Sequence, residues 1–427
     1  MRVIWMSFLL AAMLTLPGCV KLTLAWTNLT PAGAPAAPAV LGPYGSEPAI
    51  TSADAWEMQR APMLREALQA NIYGYFPDSY ELNVRTRRVL DENAFEGAGR
   101  LVEYQLQASV RFGDETRQSN VFYMDVVIPS DNAAAPIILM ETFCPRWDTI
   151  PHPAVTRPEE AGECGGGGIG AGVATYIFGR YIATPPIEMI LKHGYAIATI
   201  FPSEYVPDSS EDGLSALEQM AAGLAPDKQR WGAIAAWAWG FSLMIDALED
   251  DTEVTPRRYI TWGHSRYGKS ALLAAAFDKR IDGVIAHQSG TGGASLNRRK
   301  KGESIKAITD SYPHWFAEAY AEYAGREQEM PVDQHHLLAL EAPRPILLGN
   351  ARRDVWSDPN GAFRAAMGAN PVYELYGSRG LDQTRLNDWN PEADIAFWIR
   401  PGTHGVVKED WPAFLEFLDA HFRPTGR

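Results

Sequence analysis

The stretch Tyr259–Ser270, YITWGHSRYGKS, is the most informative segment of the sequence for predicting the fold. An apolar run leads into polar residues flanked by glycines, and the alanine-rich segment 271–276 follows. This order predicts a strand, a sharp turn and a helix. A serine on such a turn stands clear of the sheet at the helix N-terminus, where backbone N–H groups can stabilise an oxyanion. We therefore predict Ser265 as a nucleophile, with a small polar cap of an ordinary loop as the alternative. The turn is not a strict G-x-S-x-G, because Tyr267 takes the second glycine position and Gly268 comes one residue later.

Strand and helix signals alternate along most of the chain. This alternation predicts the α/β class: a single α/β-hydrolase domain over 53–427, with a mostly parallel central sheet, helices on both faces and antiparallel N-terminal strands. The predicted strands are 81–90, 100–112, 119–129, 135–140, 195–201, 258–262, 283–287, 345–350, 372–376 and 395–399. The predicted helices are 55–72, 186–192, 228–249, 267–277 and 409–422.

Length, charge and motif content exclude several functional classes. The chain has 427 residues, of which 46% are hydrophobic, enough for a sizeable core. The net charge is −14 without a basic tail, so we expect no nucleic-acid partner. No phosphate loop, dinucleotide fingerprint or metal-ligand spacing is present, and we expect no cofactor and no metal. The 13 Trp and 17 Tyr suit sugar stacking and core packing equally well.

The N-terminal segment has the pattern that is typical of an export signal. Residues 1–18 have a basic start and an apolar run that is shorter than a membrane span. Leu16–Cys19 resembles a bacterial lipoprotein cleavage box, although proline before the glycine departs from the common pattern. We expect a periplasmic or outer-membrane lipoprotein acylated on Cys19, with plain secretion as the alternative. Residues 19–52 are rich in Pro and Ala and are predicted to form a tether.

Cys144 and Cys164 flank a loop rich in proline and glycine. In an exported protein they can form a disulfide that closes the loop, and two buried thiols are the alternative. The glycine run 165–168 lies where a hydrolase loop can donate an N–H to the oxyanion, but a flexible surface loop is the favoured interpretation.

A serine nucleophile needs a general base and an acid that orients it. His404 lies between a predicted strand and the last helix, where a hydrolase places its base, whereas a surface histidine is the alternative. Asp354 follows a predicted strand, and the order Ser265, Asp354, His404 is that of the fold. Asp358 is the competing acid, but it precedes Pro359 and is suited to starting a helix. His264 is adjacent to the serine and points away from it.

A longer pattern resembles the glucuronoyl esterases, a family of microbial carbohydrate esterases, in their bacterial branch. The resemblance runs in order from about residue 180 to the C-terminus. It rests on the segments GHSRYGK at 263–269, QSGTGGA at 288–294, RRKKGE at 298–303, PVDQH at 331–335, APRP at 342–345, DVWSDP at 354–359 and RPGTH at 400–404.

This resemblance implies a serine esterase that cleaves the ester between (4-O-methyl-)glucuronic acid on xylan and an alcohol of lignin, and we expect a monomer. It implies that Arg266 turns its guanidinium toward the oxyanion, with a salt bridge at the helix start as the alternative. It further implies that Lys269, Glu303 and Trp356 bind the sugar, although such residues are more often solvated surface or core.

The basic run 298–301 is expected to be mostly solvated, with one arginine reaching the pocket. The fungal enzymes carry glutamate where this chain has Gln288, and a neutral amide cannot stabilise an imidazolium by charge.

Two other functions remain open at this stage. One is an acetylxylan esterase or another carbohydrate or general carboxylesterase, which would tolerate the loss of the sugar-binding set. The other is a catalytically silent glycan-binding protein on a hydrolase scaffold, which the replacement at Gln288 favours. The presence of Ser265, Asp354 and His404 favours the enzyme.

Overall fold

The computed structural model describes residues 38–157, 164, 179–298 and 301–423. Within these residues ten strands form one sheet. Their β-branched and aliphatic residues are almost completely buried in the central strands, as expected of a sheet covered on both faces. The strands are β1 (Ser79–Ala94), β2 (Gly99–Phe112), β3 (Glu115–Gln118), β4 (Phe122–Pro129), β5 (Ile137–Glu141), β6 (Ala196–Ile200), β7 (Tyr259–His264), β8 (Ile281–His287), β9 (Ile346–Ala351) and β10 (Ile395–Arg400).

The sheet has the order β1-β2-β4-β6-β5-β7-β8-β9-β10, with β3 paired to β2. Strands β1 to β4 pair antiparallel, as does β4 with β6. From β6 to β10 every neighbouring pair is parallel. The carboxyl ends of β7, β8, β9 and β10 therefore lie side by side at one edge, which is where open α/β sheets place their ligand sites.

Helices cover both faces of the sheet. A continuous helical stretch, α1, runs through Ala53–Ala55, Trp56–Arg60, Ala61–Leu68 and Gln69–Tyr73. Short 3₁₀ turns lie at Arg180–Ile182, Pro202–Glu204 and Glu327–Glu329. The other helices are α2 (Arg146–Thr149), α3 (Ile187–Lys192), α4 (Asp212–Met220), α5 (Ala233–Glu249), α6 (Arg266–Phe277), α7 (Ile305–Ser311), α8 (Glu318–Glu322), α9 (Gln334–Ala339), α10 (Pro359–Leu375) and α11 (Asp410–Phe422).

Two hydrophobic clusters form the core. The larger one contains the buried side chains of α5, α6 and α10, and the smaller one contains those of α3 and α11. Alternate residues of the sheet enter one cluster or the other, as Leu139 and Met140 do on β5. The predicted class is confirmed: one mostly parallel sheet with helices on both faces and antiparallel strands at its N-terminal side.

One predicted strand is wrong. Residues 372–376 lie mainly within α10, a 17-residue helix that includes Pro371. Val372 and Tyr373 continue the buried helical face begun by Phe363, Ala366 and Ala369. A short apolar run has no period of its own, and here the preceding helix decides its conformation.

The predicted tether is too long. The structure packs residues 38–50 against the domain, where Val40 and Ile50 are buried in the larger core cluster. The Arg60 guanidinium donates to the carbonyl of Val40 at 3.0 Å. Residues 1–37, which include the predicted signal and Cys19, lie outside the described residues, as does the glycine run 165–168. Among the described helices, none is long and apolar enough to cross a membrane.

Candidate active site

The turn between β7 and α6 holds Ser265 in a backbone conformation that non-glycine residues rarely adopt, with φ +57° and ψ −120°. The strand and the helix pass very close to each other at this turn. A Cβ on Gly263 would lie 1.8 Å from the carbonyl oxygen of Tyr267, so only glycine fits there. A Cβ on Gly268 would lie 3.0 Å from the carbonyl oxygen of Gly263. Gly268 is therefore the second glycine at this contact, one position later than the second glycine of the common G-x-S-x-G motif.

Four neighbouring strand ends supply the centre of the site. Ser265 follows β7, Gln288 follows β8, Asp354 follows β9 and His404 follows β10. The structure brings Ser265, Asp354 and His404 to one cavity, although they are far apart in sequence. The parallel register of these strands is the reason, because it aligns their carboxyl ends.

His404 is oriented by Asp354. Its Nδ1 lies 2.7 Å from Asp354 Oδ2, and the Oγ of Ser357 lies 3.4 Å from the same nitrogen. Burial alone would raise the pKa of Asp354, but hydrogen bonds from His404 and Ser357 outweigh it and hold that pKa below its ordinary value. The carboxylate thus stays ionised and fixes the Nδ1–H tautomer. The Nε2 of His404 is then the ring nitrogen that can accept a proton.

Asp358 has a different environment. It is the N-cap of α10, and its side chain accepts from the backbone N–H of Gly361 at 3.1 Å. The same carboxylate accepts from the backbone N–H of Lys301 at 3.2 Å. These contacts are those of a helix cap, and Asp354 is the acid that hydrogen-bonds to His404.

Gln288 holds the backbone on both sides of His404. Its Oε1 accepts from the N–H of Gly405 at 2.7 Å, and its Nε2 donates to the carbonyl of Thr403 at 3.4 Å. Arg400 bonds to the same loop, donating to the carbonyls of Thr403 at 3.2 Å and Gly405 at 2.6 Å. The loop 403–405 is therefore fixed by side chains from two different strand ends.

A buried pair of histidines lies behind His404. The His264 ring is tilted against the His404 ring, with centroids 4.6 Å apart, and its Nδ1 lies 3.1 Å from His287 Nδ1. Burial, followed by the positive potential of nearby His404 and His287, lowers the pKa of His264 well below its ordinary value. His264 is therefore neutral, and its ring packs against that of His404.

Arg266 begins α6 directly after Ser265. Its guanidinium forms an ion pair with Asp208, so the salt bridge weighed as an alternative is present. The group lies between two rings, 5.3 Å from the centroid of Phe143 and 5.1 Å from that of Trp315. Its Nε is buried and has no hydrogen-bond partner among the described residues. Arg266 also lines the cavity, and 27% of its side chain is exposed.

The cavity has a volume of about 650 Å³ and combines a polar and an apolar lining. On the polar part, Trp356 is 58% exposed, and its indole N–H donates to Glu303 Oε1 at 3.0 Å. Lys269 is buried, and its Nζ donates to the carbonyl of Ser289 at 2.5 Å. The structure therefore brings all three predicted sugar-binding residues to the cavity. The apolar part is lined by Phe143, Cys144, Cys164, Ile182 and Ala183.

Cys144 and Cys164 form a disulfide at the cavity, with their Cα atoms 5.5 Å apart. The disulfide joins the loop after β5 to a point 20 residues further on. The alternative of two buried thiols is therefore wrong.

The basic run differs from the sequence prediction. Arg298 is buried, bonded to Asp333 at 3.2 Å, and it is not among the residues that line the cavity. Arg299 and Lys300 lie outside the described residues. Across residues 38–157, 164, 179–298 and 301–423, no three His, Cys, Asp or Glu side chains converge to hold a metal ion.

Sequence reasoning missed Asp208, Tyr312 and Trp315. The two aromatic rings are stacked, with centroids 3.8 Å apart, and both line the cavity. Asp208 lies in a loop without a motif, and no local signal distinguishes it from the neighbouring acidic residues. Trp315 belongs to the segment SYPHWF at 311–316, whose density of aromatic residues is the one available signal.

Comparisons with known proteins find carbohydrate esterases. A family model described as "Glucuronyl esterase, fungi" matches residues 187–377. The carbohydrate esterase MZ0003, from an unknown prokaryotic organism, is 33% identical over 386 residues, which cover 87% of this chain and 86% of that protein.

Two solved structures are similar along nearly their whole length. A promiscuous CE15 esterase from the marine bacterial metagenome has a TM-score of 0.78 and 31% identity, covering 92% of this chain and 98% of its own. The glucuronoyl esterase from Solibacter usitatus has a TM-score of 0.74 and 31% identity, covering 92% and 99%. The chain belongs to the glucuronoyl esterase family of carbohydrate esterases.

Proposed function

We propose that this protein hydrolyses esters of glucuronic acid or its 4-O-methyl form, such as those that join glucuronoxylan to lignin alcohols. The observation that carries the proposal is the 2.7 Å contact of His404 Nδ1 with Asp354, in the cavity that also contains Ser265 and the Lys269, Glu303 and Trp356 set. A base oriented by an acid supports acyl transfer, and the polar set supports recognition of sugar hydroxyls.

The mechanism follows the roles of these groups. The Nε2 of His404 removes the proton of the Ser265 hydroxyl, which attacks the glucuronoyl carbonyl. Arg266 and backbone N–H groups at the start of α6 stabilise the oxyanion. His404 then protonates the leaving alcohol, and afterwards activates a water that releases glucuronate and restores the serine. Asp354 stabilises the imidazolium that forms in each step.

Specificity is proposed to lie on the acid side of the ester. Lys269 can donate to sugar hydroxyls and Glu303 can accept from them, while the exposed ring of Trp356 can stack on the sugar. The apolar lining around Phe143 and the disulfide suits an apolar alcohol without specifying it.

The test compares benzyl D-glucuronate with p-nitrophenyl acetate, using Ser265→Ala as the blank. We expect strong preference for the glucuronate ester and loss of turnover in the variant. Cleavage of acetate alone would move the protein to the acetylxylan or general esterases, a reading that the apolar lining and the promiscuity named for the marine relative favour. Saturable glycan binding without turnover would instead support the silent binding protein.

Export is part of the proposal. The disulfide between Cys144 and Cys164 favours an oxidising compartment, and the segment Leu16–Cys19 favours a lipid anchor. Incorporation of labelled palmitate that is lost in Cys19→Ser would support the lipoprotein, whereas release of unlabelled enzyme into the medium would support secretion.

A further inference from the structure

Asp208 receives three donors from separate parts of the chain. Trp315 Nε1 donates to its Oδ1 at 2.8 Å, and His314 Nε2 lies 2.9 Å from the same oxygen. The Arg266 guanidinium contacts Oδ2. Only 15% of the Asp208 side chain is exposed, and His314 and Trp315 are buried. A carboxylate with this many partners has one fixed position.

Arg266 is the charged partner of this carboxylate. Burial, reinforced by the nearby Arg266 cation, lowers the pKa of His314 to about 4, so His314 is neutral at pH 7. A neutral His314 donates its Nε2–H to Asp208 and leaves the charge of the carboxylate to Arg266. His314 and Trp315 thus hold the Asp208 carboxylate in the position where it pairs with Arg266.

The ion pair fixes one side of the Arg266 guanidinium. The NH1 nitrogen is directed to Asp208, the rings of Phe143 and Trp315 flank the group, and the buried Nε has no hydrogen-bond partner among the described residues. Because the guanidinium is planar, holding one of its edges fixes the direction of its other N–H groups. A long arginine side chain without this anchor would have many rotamers to lose on each turnover.

The charge of Asp208 also matters for the product. The ester substrate has no charge at its carbonyl, the transition state gains one negative charge, and the glucuronate product retains a negative carboxylate. An unbalanced Arg266 would attract the product nearly as strongly as the transition state. Lys269 adds a second cation to the cavity, and Glu303 and Asp354 are the acids that line it, whereas Asp208 lies behind Arg266 and is not a lining residue. The Asp208 carboxylate, on the far side of Arg266, weakens the electrostatic attraction between Arg266 and the glucuronate product.

We propose that Asp208 is a positioning residue that anchors Arg266 beside Ser265 and balances its charge, so that the oxyanion is stabilised while glucuronate is released. This inference rests on the proposed function, in which Arg266 faces the oxyanion. The inference adds Asp208, from the loop after β6, and the segment His314–Trp315 to the site.

The decisive variant is Asp208→Asn, assayed with benzyl D-glucuronate and with glucuronate as product inhibitor. We expect kcat to fall about 10- to 100-fold, less than the loss of a whole oxyanion donor, with KM for the neutral ester nearly unchanged. We expect the inhibition constant of glucuronate to fall several-fold, because the negative charge that pairs with Arg266 is removed. A structural defect alone would not tighten product binding.

Three further variants separate this role of Asp208 from a general effect of the substitution. Asp212→Asn removes the same charge from an exposed position four residues along, and it should leave kcat and product inhibition unchanged. Asp208→Asn in an Arg266→Met background should cost little more than Arg266→Met alone, because both remove one function. Trp315→Phe keeps a ring beside Arg266 and removes one donor to Asp208, so a milder loss in kcat is expected even if Asp208→Asn folds poorly.

An equal loss of kcat in both backgrounds, or product inhibition no tighter than in the wild type, would overturn the inference. Failure of the wild type to hydrolyse the glucuronate ester would reject the proposed function instead. The two failures are distinguishable because the first requires an active wild type.

Discussion

The ends of β8 and β9 both place a polar side chain against the loop that contains His404, yet they hold different parts of it. Asp354, after β9, contacts the imidazole ring at 2.7 Å. Gln288, after β8, contacts the backbone on either side of the ring, at Gly405 and Thr403. The end of β9 therefore orients the His404 imidazole, and the end of β8 positions the loop that carries it.

The two positions differ in whether they need a charge. In the proposed mechanism an imidazolium forms at the His404 ring in each half-reaction, so the ring needs an anion, which Asp354 supplies. The loop offers one N–H and one C=O, and an amide matches both because it donates and accepts. A carboxylate could satisfy only the N–H. Glutamine at 288 is thus suited to its position in this chain, and it does not by itself indicate a silent enzyme.

The largest effect is expected for Asp354→Asn. The amide keeps the shape but removes the anion and permits the wrong tautomer of His404, so kcat should fall by about 10³- to 10⁴-fold. Because the pKa of Asp354 is held below its ordinary 3.8, the charge is present above that pH and is lost only as pH falls through the lower folded-state value. The measurement is kcat on benzyl D-glucuronate from pH 5 to 9, and a loss under tenfold would assign the acid elsewhere.

A smaller effect is expected for Gln288→Ala. This change removes both bonds to the loop but leaves the contact between Asp354 and His404 and the bonds from Arg400. A loosened base should lower kcat by about 10- to 100-fold without changing the shape of the pH profile. A new pH dependence would mean that Gln288 acts on the ring and not on the backbone.

Gln288→Glu is expected to have a milder effect than Gln288→Ala. Glutamate keeps the acceptor for the N–H of Gly405 but loses the donor to Thr403 and faces its carbonyl with a negative charge. We expect a reduction of kcat by less than tenfold. The same change should not restore activity to Asp354→Asn, and restoration there would show that the two strand ends are interchangeable.

The smallest effect on catalysis is expected for Asp358→Ala, four residues from Asp354. It removes the N-cap of α10, which should lower the free energy of unfolding by about 1 kcal/mol. The rate should stay within twofold of the wild type, as measured by kcat beside a denaturant titration. A catalytic loss comparable to that of Asp354→Asn would contradict the separation of the two acids.

The sequence alone determined the α/β class, most of the strands and helices, and the presence of Ser265, Asp354 and His404 at strand ends. These features depend on local periodicity, on glycine at a close approach and on the order of residues along the chain, all of which the sequence states directly. Residues 372–376 are the exception, because a short apolar run takes its conformation from the helix before it.

Only the tertiary structure decided the contacts that refine the site. The bond between His314 and Asp208 joins residues 106 positions apart, and Gln288 reaches Gly405 across 117. Such contacts depend on how loops pack after the strands have assembled, and nothing local in either segment encodes the distance between them. The sequence already favoured Asp354 over Asp358, and the structure adds the contacts that separate them, His404 for Asp354 and the start of α10 for Asp358.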